Sequence, residues 1–311
     1  MRDISKAMSD HKPRNRSLPL ILIVLFGLLT VFALSKWIDS HRPALDPSVE
    51  EEKLYLTSNT AKRMSLGFNG LAADWYWMRS LQYVGRKVIN HHEDIQLDDL
   101  GPLNLKLLAP LLDTATTLDP GFMEPYEYAA VVLPAVNVQD AIRITKKGIS
   151  ANPLAWRLYH HLGYIYWQQQ DFKTATEIYG EGAKIPGAPS WMEAMRARMA
   201  VEGGSRNTAR EIYLRMYEQA GDDKVRHMAQ LRLMQLDSLD QRDALRTVLK
   251  AYQTRTSRCP ASWREIDAAL RAMRFPVDPS GSPVDPVGTP YVLVKETCDV
   301  DLDRNSKVPH R

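Results

Sequence analysis

The sequence of 311 residues has little cysteine and no large excess of charge of either sign. Forty lysines and arginines stand against 37 aspartates and glutamates, so the formal net charge is only +3 at neutral pH. Because these charges are interspersed rather than gathered into a basic stripe, the composition argues against a nucleic-acid partner. With 44% hydrophobic residues, the chain can still bury a full core.

The motifs of common enzyme families are also missing. There is no glycine-rich phosphate loop, no G-x-S-x-G nucleophile elbow and no HExxH zinc motif. Two histidine pairs, His91-His92 and His160-His161, are candidate metal ligands, but adjacent histidines point in different directions and no cysteine or carboxylate stands at a metal spacing. We predict ordinary surface or core histidines, no cofactor and no enzymatic activity; a metal-dependent enzyme is the less favoured alternative.

Three aspartates near the C-terminus imitate the first ligands of a calcium loop; they are Asp299, Asp301 and Asp303. Position six of such a loop is Arg304 instead of glycine, and position twelve is His310 instead of glutamate. The favoured interpretation is a solvated strand edge, and a weak calcium site is the alternative.

A long apolar run near the N-terminus is the strongest local signal. Residues 18–35 carry no formal charge, and a helix of about 20 residues spans the hydrocarbon core of a bilayer. Lys36 and Trp37 extend the run with a snorkelling cation and an interfacial ring. The sequence therefore predicts a single transmembrane helix over 18–37 that places the chain in a lipid bilayer.

Charges on the two sides of this predicted span indicate its orientation. Residues 1–17 hold five basic and two acidic side chains, whereas residues 38–52 hold one basic and five acidic side chains. Because the side richer in Lys and Arg stays in the cytoplasm, we expect a basic cytoplasmic tail over 1–17, a linker over 38–58, and export of everything beyond it. A cleaved signal peptide is the alternative, with a small-x-small site at Ala33-Leu34-Ser35, but signal h-regions are shorter than this run.

The positions of the two cysteines agree with export. Cys259 and Cys298 both lie on the predicted exported side, where a pair of thiols is oxidised. A disulfide between them closes a loop of about 40 residues, for which the chain-entropy model gives roughly 3 to 4 kcal/mol. Two unrelated buried thiols are the alternative.

A periodic pattern of small and aromatic residues occupies the middle of the chain. Three alanines recur at a constant interval, and each is followed four positions later by threonine or tyrosine. These residues are Ala141, Ala175, Ala209, Thr145, Tyr179 and Tyr213. The best copy also has four upstream residues in phase, namely Tyr159, Leu162, Gly163 and Tyr166. An interval of about 34 residues is typical of a repeated helical hairpin.

This pattern resembles the tetratricopeptide repeat (TPR), with tyrosine replacing the usual tryptophan at Tyr159. The clearest repeats are 122–155, 156–189 and 190–223. The resemblance implies an all-α solenoid of helical hairpins over 59–252, with a further helix pair over 224–252. Small residues let the helices approach closely and larger ones fill the space between pairs, while the stacked hairpins form a groove that binds other proteins or peptides.

The C-terminal part, residues 253–311, differs in composition from the repeats. Ser262 and Glu265 predict a capping box that opens a helix. Five prolines and two glycines between 275 and 290 exclude regular structure there, and residues 292–294 are then expected to pair with Val300 and Leu302 in a short β-hairpin.

Two likenesses bear on function. The order of anchor, repeats and proline-rich end is similar to single-pass, membrane-anchored bacterial TPR proteins, which implies a scaffold or assembly factor for an envelope or secretion complex on the exported side of the cytoplasmic membrane. The Asp-Pro-x-Gly-x-Pro-Tyr sequence at 285–291 is similar to the end of major pseudopilins of secretion systems, over this short stretch only. A membrane-tethered holdase chaperone is the alternative function.

Overall fold

The computed structural model describes residues 17–41, 57–91, 96 and 99–310, and the chain divides into two compact units, Met1–Tyr55 and Leu56–Arg311. In the first unit, helix α1 covers Ser17–His41. Among the residues described, no helix combines the length and apolar character needed to cross a membrane. Parts of three predicted segments lie outside the described residues, namely 1–16 of the basic tail, the side chains of 18–22 in the apolar span, and 42–56 of the linker.

The second unit is mainly α-helical, which confirms the predicted fold class at that level. Its α-helices are α2 (Ser58–Met64), α3 (Asn69–Asn90), α4 (Leu108–Leu118), α5 (Met123–Val132), α6 (Val138–Ala151), α7 (Trp156–Gln168), α8 (Phe172–Gly182), α9 (Trp191–Glu202), α10 (Arg206–Gln219), α11 (Asp223–Thr256) and α12 (Asp267–Ala272). Short 3-10 helices cover Gly101–Leu103, Leu133–Ala135 and Trp263–Ile266.

Neighbouring helices in the sequence are also neighbours in space. From α4 to α11, each helix contacts the next one, and α4 also contacts α6 while α5 contacts α7. Helices α6, α8 and α10 begin at residues 138, 172 and 206, so their starts are equally spaced along the chain. Only residues 169–171 separate α7 from α8, and two contacting helices joined by so short a connection form a helical hairpin.

The apolar cores of this unit share helices. Leu158 and Ile165 of α7 are buried in a cluster with side chains of α4, α5 and α6. On the same helix, Tyr159 and Tyr166 pack against the next cluster, which includes Ala175 and Met192 of α8 and α9. One helix therefore buries apolar surface on both sides, and neither neighbouring pair shields its own apolar face alone.

The predicted helix pair over 224–252 is wrong, because α11 is one uninterrupted helix, Asp223–Thr256. No glycine or proline occurs within it, so nothing in the sequence makes the inter-helix turn that the repeat phase requires. The side chain of Asp222 caps its start by accepting from the Lys224 amide at 2.8 Å. The helix ends at Ser257, which takes a left-handed conformation with φ 59°.

The C-terminal segment packs on the second half of α11. Buried side chains from both parts form one cluster, which contains Leu245, Leu249, Tyr252, Trp263, Ile266, Leu270, Tyr291, Val300, Leu302 and Val308. The predicted hairpin is confirmed at Val300, because β1 (Val292–Val294) pairs antiparallel with β2 (Asp299–Asp301) and Leu293 lies opposite Val300. Leu302, the other predicted partner, lies one residue beyond β2. The disulfide Cys259–Cys298 is also present, with 5.5 Å between the Cα atoms.

The predicted capping box at Ser262 and Glu265 is wrong. The Ser262 side chain makes no capping hydrogen bond, and the segment starts with a 3-10 turn rather than an α-helix. The Glu265 carboxylate instead accepts hydrogen bonds from the Tyr252 hydroxyl and from the Ala261 amide, and pairs with Arg258 at 2.9 Å. Tyr252 lies in the last turns of α11 and Arg258 lies just after it. Because the Glu265 carboxylate bonds to these side chains, it does not cap the helix that follows Ser262.

Candidate binding cleft

A cleft of about 660 Å³ opens between α5 and α7. One wall comes from the end of α5 and the following 3-10 turn, and the other from one face of α7. Its lining side chains are Ala130, Val131, Pro134, Ala135, His160, His161, Tyr164, Gln168 and Gln169. We refer to this site as the α5/α7 cleft.

The α5 wall is small and apolar. Tyr126 and Ala129 are fully buried on the core side of α5, which leaves Val131 exposed at the surface of the cleft. The α-helix stops at Val132, and the 3-10 turn Leu133–Ala135 then presents Pro134 to the same cleft. Since proline has no amide hydrogen, Pro134 adds no backbone donor to this wall, which offers mainly carbon atoms to a ligand.

The α7 wall is polar and aromatic. His161, Tyr164 and Gln168 follow one another at three- and four-residue intervals and so share one face of the helix. The core face of α7 buries Leu158, Leu162 and Ile165, which fixes the orientation of the polar face.

His160 lines the cleft and also contacts side chains beneath it. Its Nδ1 atom is hydrogen-bonded to the Tyr179 hydroxyl at 3.1 Å, and its ring meets Trp191 edge-on with 4.8 Å between centroids. Burial lowers the pKa of His160 below its ordinary value, and the neighbouring His161 lowers it further. Burial alone lowers the pKa of His161. Both rings are therefore neutral at neutral pH, and the cleft offers hydrogen-bonding groups instead of positive charge.

Next to the cleft, a cluster of aromatic and charged side chains links α7 to α9. Tyr164 lies 5.2 Å from the Trp167 ring, measured between centroids. The Trp167 indole donates a hydrogen bond to Glu202 at 2.5 Å, and Arg198 donates to the same carboxylate at 2.8 Å while lying 5.5 Å above the indole ring. Tyr164 therefore packs against an indole ring that is itself bound to side chains of α9.

The chemistry of the cleft suits an extended polypeptide. One wall accepts apolar side chains, and the other supplies imidazole, phenol and amide groups that can hydrogen-bond to a backbone. No group of three or more His, Cys, Asp or Glu side chains within the described part of the chain could hold a metal ion. Of the two histidine pairs, His160-His161 lines the cleft, His91 follows the end of α3, and His92 lies outside the described residues.

The residues predicted to pack the repeats lie in or against the apolar cores. The alanines and the later tyrosines are buried, namely Ala141, Ala175, Ala209, Tyr179 and Tyr213, and so are Leu162 and Gly163. Tyr159 and Tyr166 are half-buried. A Cβ added at Gly163 would lie 2.7 Å from the Tyr179 ring, so only glycine permits this contact between α7 and α8.

The aspartates that imitate a calcium loop have protein partners. Asp299 accepts a hydrogen bond from Arg246 at 2.7 Å, and Asp301 lies 3.6 Å from the guanidinium of Arg242. Asp303 accepts from the Asn305 amide at 2.8 Å. The first two carboxylates thus join the hairpin to α11.

Sequence reasoning missed a polar cluster around Asp113 on α4. Its carboxylate contacts Arg143 at 2.9 Å, Lys147 at 3.1 Å and the Ser58 hydroxyl at 2.9 Å. Burial alone would raise the pKa of Asp113, but the positive Lys147 and the hydrogen bonds outweigh it and hold this pKa below its ordinary value. The partners lie on other helices, far from Asp113 in the sequence, so no local motif signals them.

The sequence matches none of the protein-family models with which it was compared, and it matches no curated protein either. The TPR resemblance therefore depends on the residues of this chain.

Proposed function

We propose that this protein is a membrane-anchored scaffold that binds a polypeptide partner in the α5/α7 cleft. Its helices follow the TPR arrangement, and it acts on the exported side of a bacterial cytoplasmic membrane as an assembly factor for an envelope or secretion complex. The observation that carries the proposal is the cleft itself: an apolar wall opposite a neutral hydrogen-bonding wall, built from two helices that contact each other.

The helix pattern supports a TPR-like arrangement. Starts of α6, α8 and α10 recur at the same interval as the alanines of the sequence pattern, and each helix contacts its successor. The residues that carry the resemblance lie at equivalent positions of these helices: Ala141, Ala175 and Ala209 are all fully buried. Stacked helical hairpins create an extended concave binding surface, and the cleft lies between α5 and α7, the first helices of two successive pairs.

The anchor is supported by the composition of the sequence. The run from Leu18 to Ser35 carries no formal charge, and a helix of about 20 apolar residues spans the hydrocarbon core of a bilayer. Five basic residues precede the run within 1–17 and one follows it within 38–52, a bias that favours a cytoplasmic N-terminus.

Site-specific photo-crosslinking in native membranes tests the scaffold proposal. A photoreactive phenylalanine replaces Tyr164, which is 41% exposed in the cleft, or Tyr217, which is 39% exposed on α10 and provides a matched control. We expect one predominant adduct from position 164 and none of that mass from position 217. Adding Val131→Glu, which places a charge on the apolar wall, should abolish the adduct.

The same experiment separates the scaffold from its alternatives. A ladder of many adducts that grows under heat stress would indicate a holdase chaperone with many clients. The absence of any adduct at position 164, with the variant correctly folded and in the membrane, contradicts partner binding in the cleft.

A further inference from the structure

Helix α3 and the residue before it expose an apolar face that the scaffold function does not use. Four large side chains there point to solvent: Phe68, Leu71, Trp75 and Met78. We call this set the α3 stripe. The last three are four and three residues apart, so they lie on one helical face, whereas Ala73, Tyr76, Ser80 and Tyr83 are buried on the other.

The side chains of the α3 stripe are more than half exposed to solvent. Leu71 is 71% exposed and Trp75 is 56% exposed, and the preceding Met64 and Leu66 are exposed as well. Scattered apolar side chains on a surface are ordinary, but a contiguous patch marks a contact site.

The charge around the α3 stripe points to an anionic surface. Between residues 57 and 90 there are five basic side chains and one acidic side chain, a local net charge of +4. The basic residues are Lys62, Arg63, Arg79, Arg86 and Lys87, and the acidic one is Asp74. The guanidinium of Arg79 lies 5.7 Å from the centre of the Trp75 ring. Apolar side chains that include tryptophan, set among basic residues, are typical of helices that lie in the bilayer interface.

We propose that the α3 stripe docks on the surface of an anionic lipid bilayer. This inference depends on the membrane anchor in the proposed function, which tethers the chain to a bilayer; α3 begins at Asn69, 28 positions along the chain from His41, the last residue of α1. Tryptophan at position 75 then lies among the headgroups, Leu71 and Met78 enter the acyl boundary, and the basic residues contact anionic headgroups.

Fluorescence quenching by brominated lipids tests this docking in the full chain. Single cysteines that carry an environment-sensitive dye replace Leu71, Leu28 on α1, or Leu214 on α10, all of which are exposed leucines on helices. The protein is reconstituted in vesicles of zwitterionic and anionic lipids. We expect the dyes at 28 and 71 to lose fluorescence when the lipid tails are brominated, and the dye at 214 to keep it.

The label positions separate the possible outcomes. Quenching at 28 without quenching at 71 overturns the docking while the anchor stands. Quenching at neither position contradicts both the anchor and the docking. Equal quenching at 71 and 214 indicates non-specific adsorption and also overturns the proposal.

A second reagent separates lipid from protein as the occupant of the α3 stripe. If the dye at 71 is shielded from aqueous iodide but is not quenched by brominated lipid, a second copy or another protein covers the stripe and the proposal is wrong. Replacing the anionic lipid with zwitterionic lipid should reduce quenching at 71 and leave quenching at 28 unchanged, because only the surface contact depends on headgroup charge.

Discussion

The hydroxyl of Tyr291 donates a hydrogen bond of 2.8 Å to Oε1 of Gln241 and lies 3.0 Å from the buried Oγ of Ser238. The carbonyl oxygen of Tyr291 accepts a hydrogen bond from the Trp263 indole at 3.1 Å. Tyr291 directly follows the proline-rich loop, and both side-chain partners lie on α11. One tyrosine therefore attaches an irregular segment to a helix that lies much earlier in the chain.

Tyr291→Phe should lower the free energy of unfolding by about 1 kcal/mol, because it leaves Ser238 buried with one partner fewer. Urea denaturation in a constant detergent, followed by circular dichroism, measures this change. The matched control Tyr217→Phe, on the exposed face of α10, should change stability by less than about 0.5 kcal/mol. Equal effects from both substitutions would contradict the role assigned to the Tyr291 hydroxyl.

Gly163→Ala should destabilise the protein by roughly 1 to 3 kcal/mol, because the new methyl group would lie 2.7 Å from the Tyr179 ring. Gly85→Ala on α3 is a control of opposite sign: nothing lies within 4 Å of its Cβ position, so alanine should stabilise the helix by up to about 1 kcal/mol. Thermal melting of the two variants side by side measures both effects. A neutral Gly163→Ala would show that close α7–α8 contact is not required.

Asp113→Asn should weaken the contact between α4 and α6 by roughly 1 kcal/mol, a small value because the Asp113 ion pairs are partly exposed. The folded-state pKa of Asp113 lies below its ordinary value of 3.8. The contribution of the Asp113 carboxylate to stability is therefore present above pH 3.8 and is lost as the pH falls through the folded-state pKa. Unfolding free energies measured across this range should decline less steeply in the variant than in the wild type.

Much of the secondary structure could be predicted from short-range patterns. The prolines and glycines between 275 and 290 predicted a stretch without regular structure, and that stretch forms isolated bridges before strands β1 and β2. The repeat interval matched the starts of α6, α8 and α10. The error at α11 came from extending the repeat phase over a stretch with no glycine or proline. Local composition was the better guide there, because a helix ends where the chain can turn.

The cleft could not be predicted in the same way. His160 and His161 are adjacent in the sequence, but the lowering of their pKa values depends on burial. The hydrogen bond of His160 depends on Tyr179, which lies one helix further along the chain. The facing wall, Val131 and Pro134, belongs to another part of the chain and carries no motif. A site formed by contacts between helices can be located only when the packing of those helices is known. The periodicity of residues in the sequence does not specify that packing.

Protonation of His160 should cost stability in a higher pH range than protonation of Asp113. Because the folded-state pKa of His160 lies below its ordinary value of 6.5, the unfolded state takes up the proton first, and stability falls as the pH drops below 6.5. His160→Gln should reduce this slope. Tyr179→Phe removes the hydrogen bond but leaves the burial and His161, so it should keep the slope. Unfolding free energies at pH values from about 7 to about 5 distinguish the two variants.

Removal of the disulfide should destabilise the C-terminal segment. Cys259 and Cys298 are separated by 39 in sequence, and the loop that they close contains Trp263, Leu270 and Tyr291 of the C-terminal cluster. Replacing both cysteines with serine should lower the free energy of unfolding by roughly 3 kcal/mol, since the unfolded chain regains the freedom of this loop.

Hydrogen exchange provides the local measurement for the double serine variant. We expect faster exchange over β1, β2 and the second half of α11, with unchanged rates in α7 and α8, because Leu245 and Leu249 share the C-terminal cluster while α7 and α8 belong to others. Alkylation of intact cells tests the compartment at the same time: on an oxidising, exported side the wild-type thiols are blocked until a reductant is added. Rapid alkylation of the folded wild-type protein without reductant would contradict both the disulfide and the proposed location of this segment.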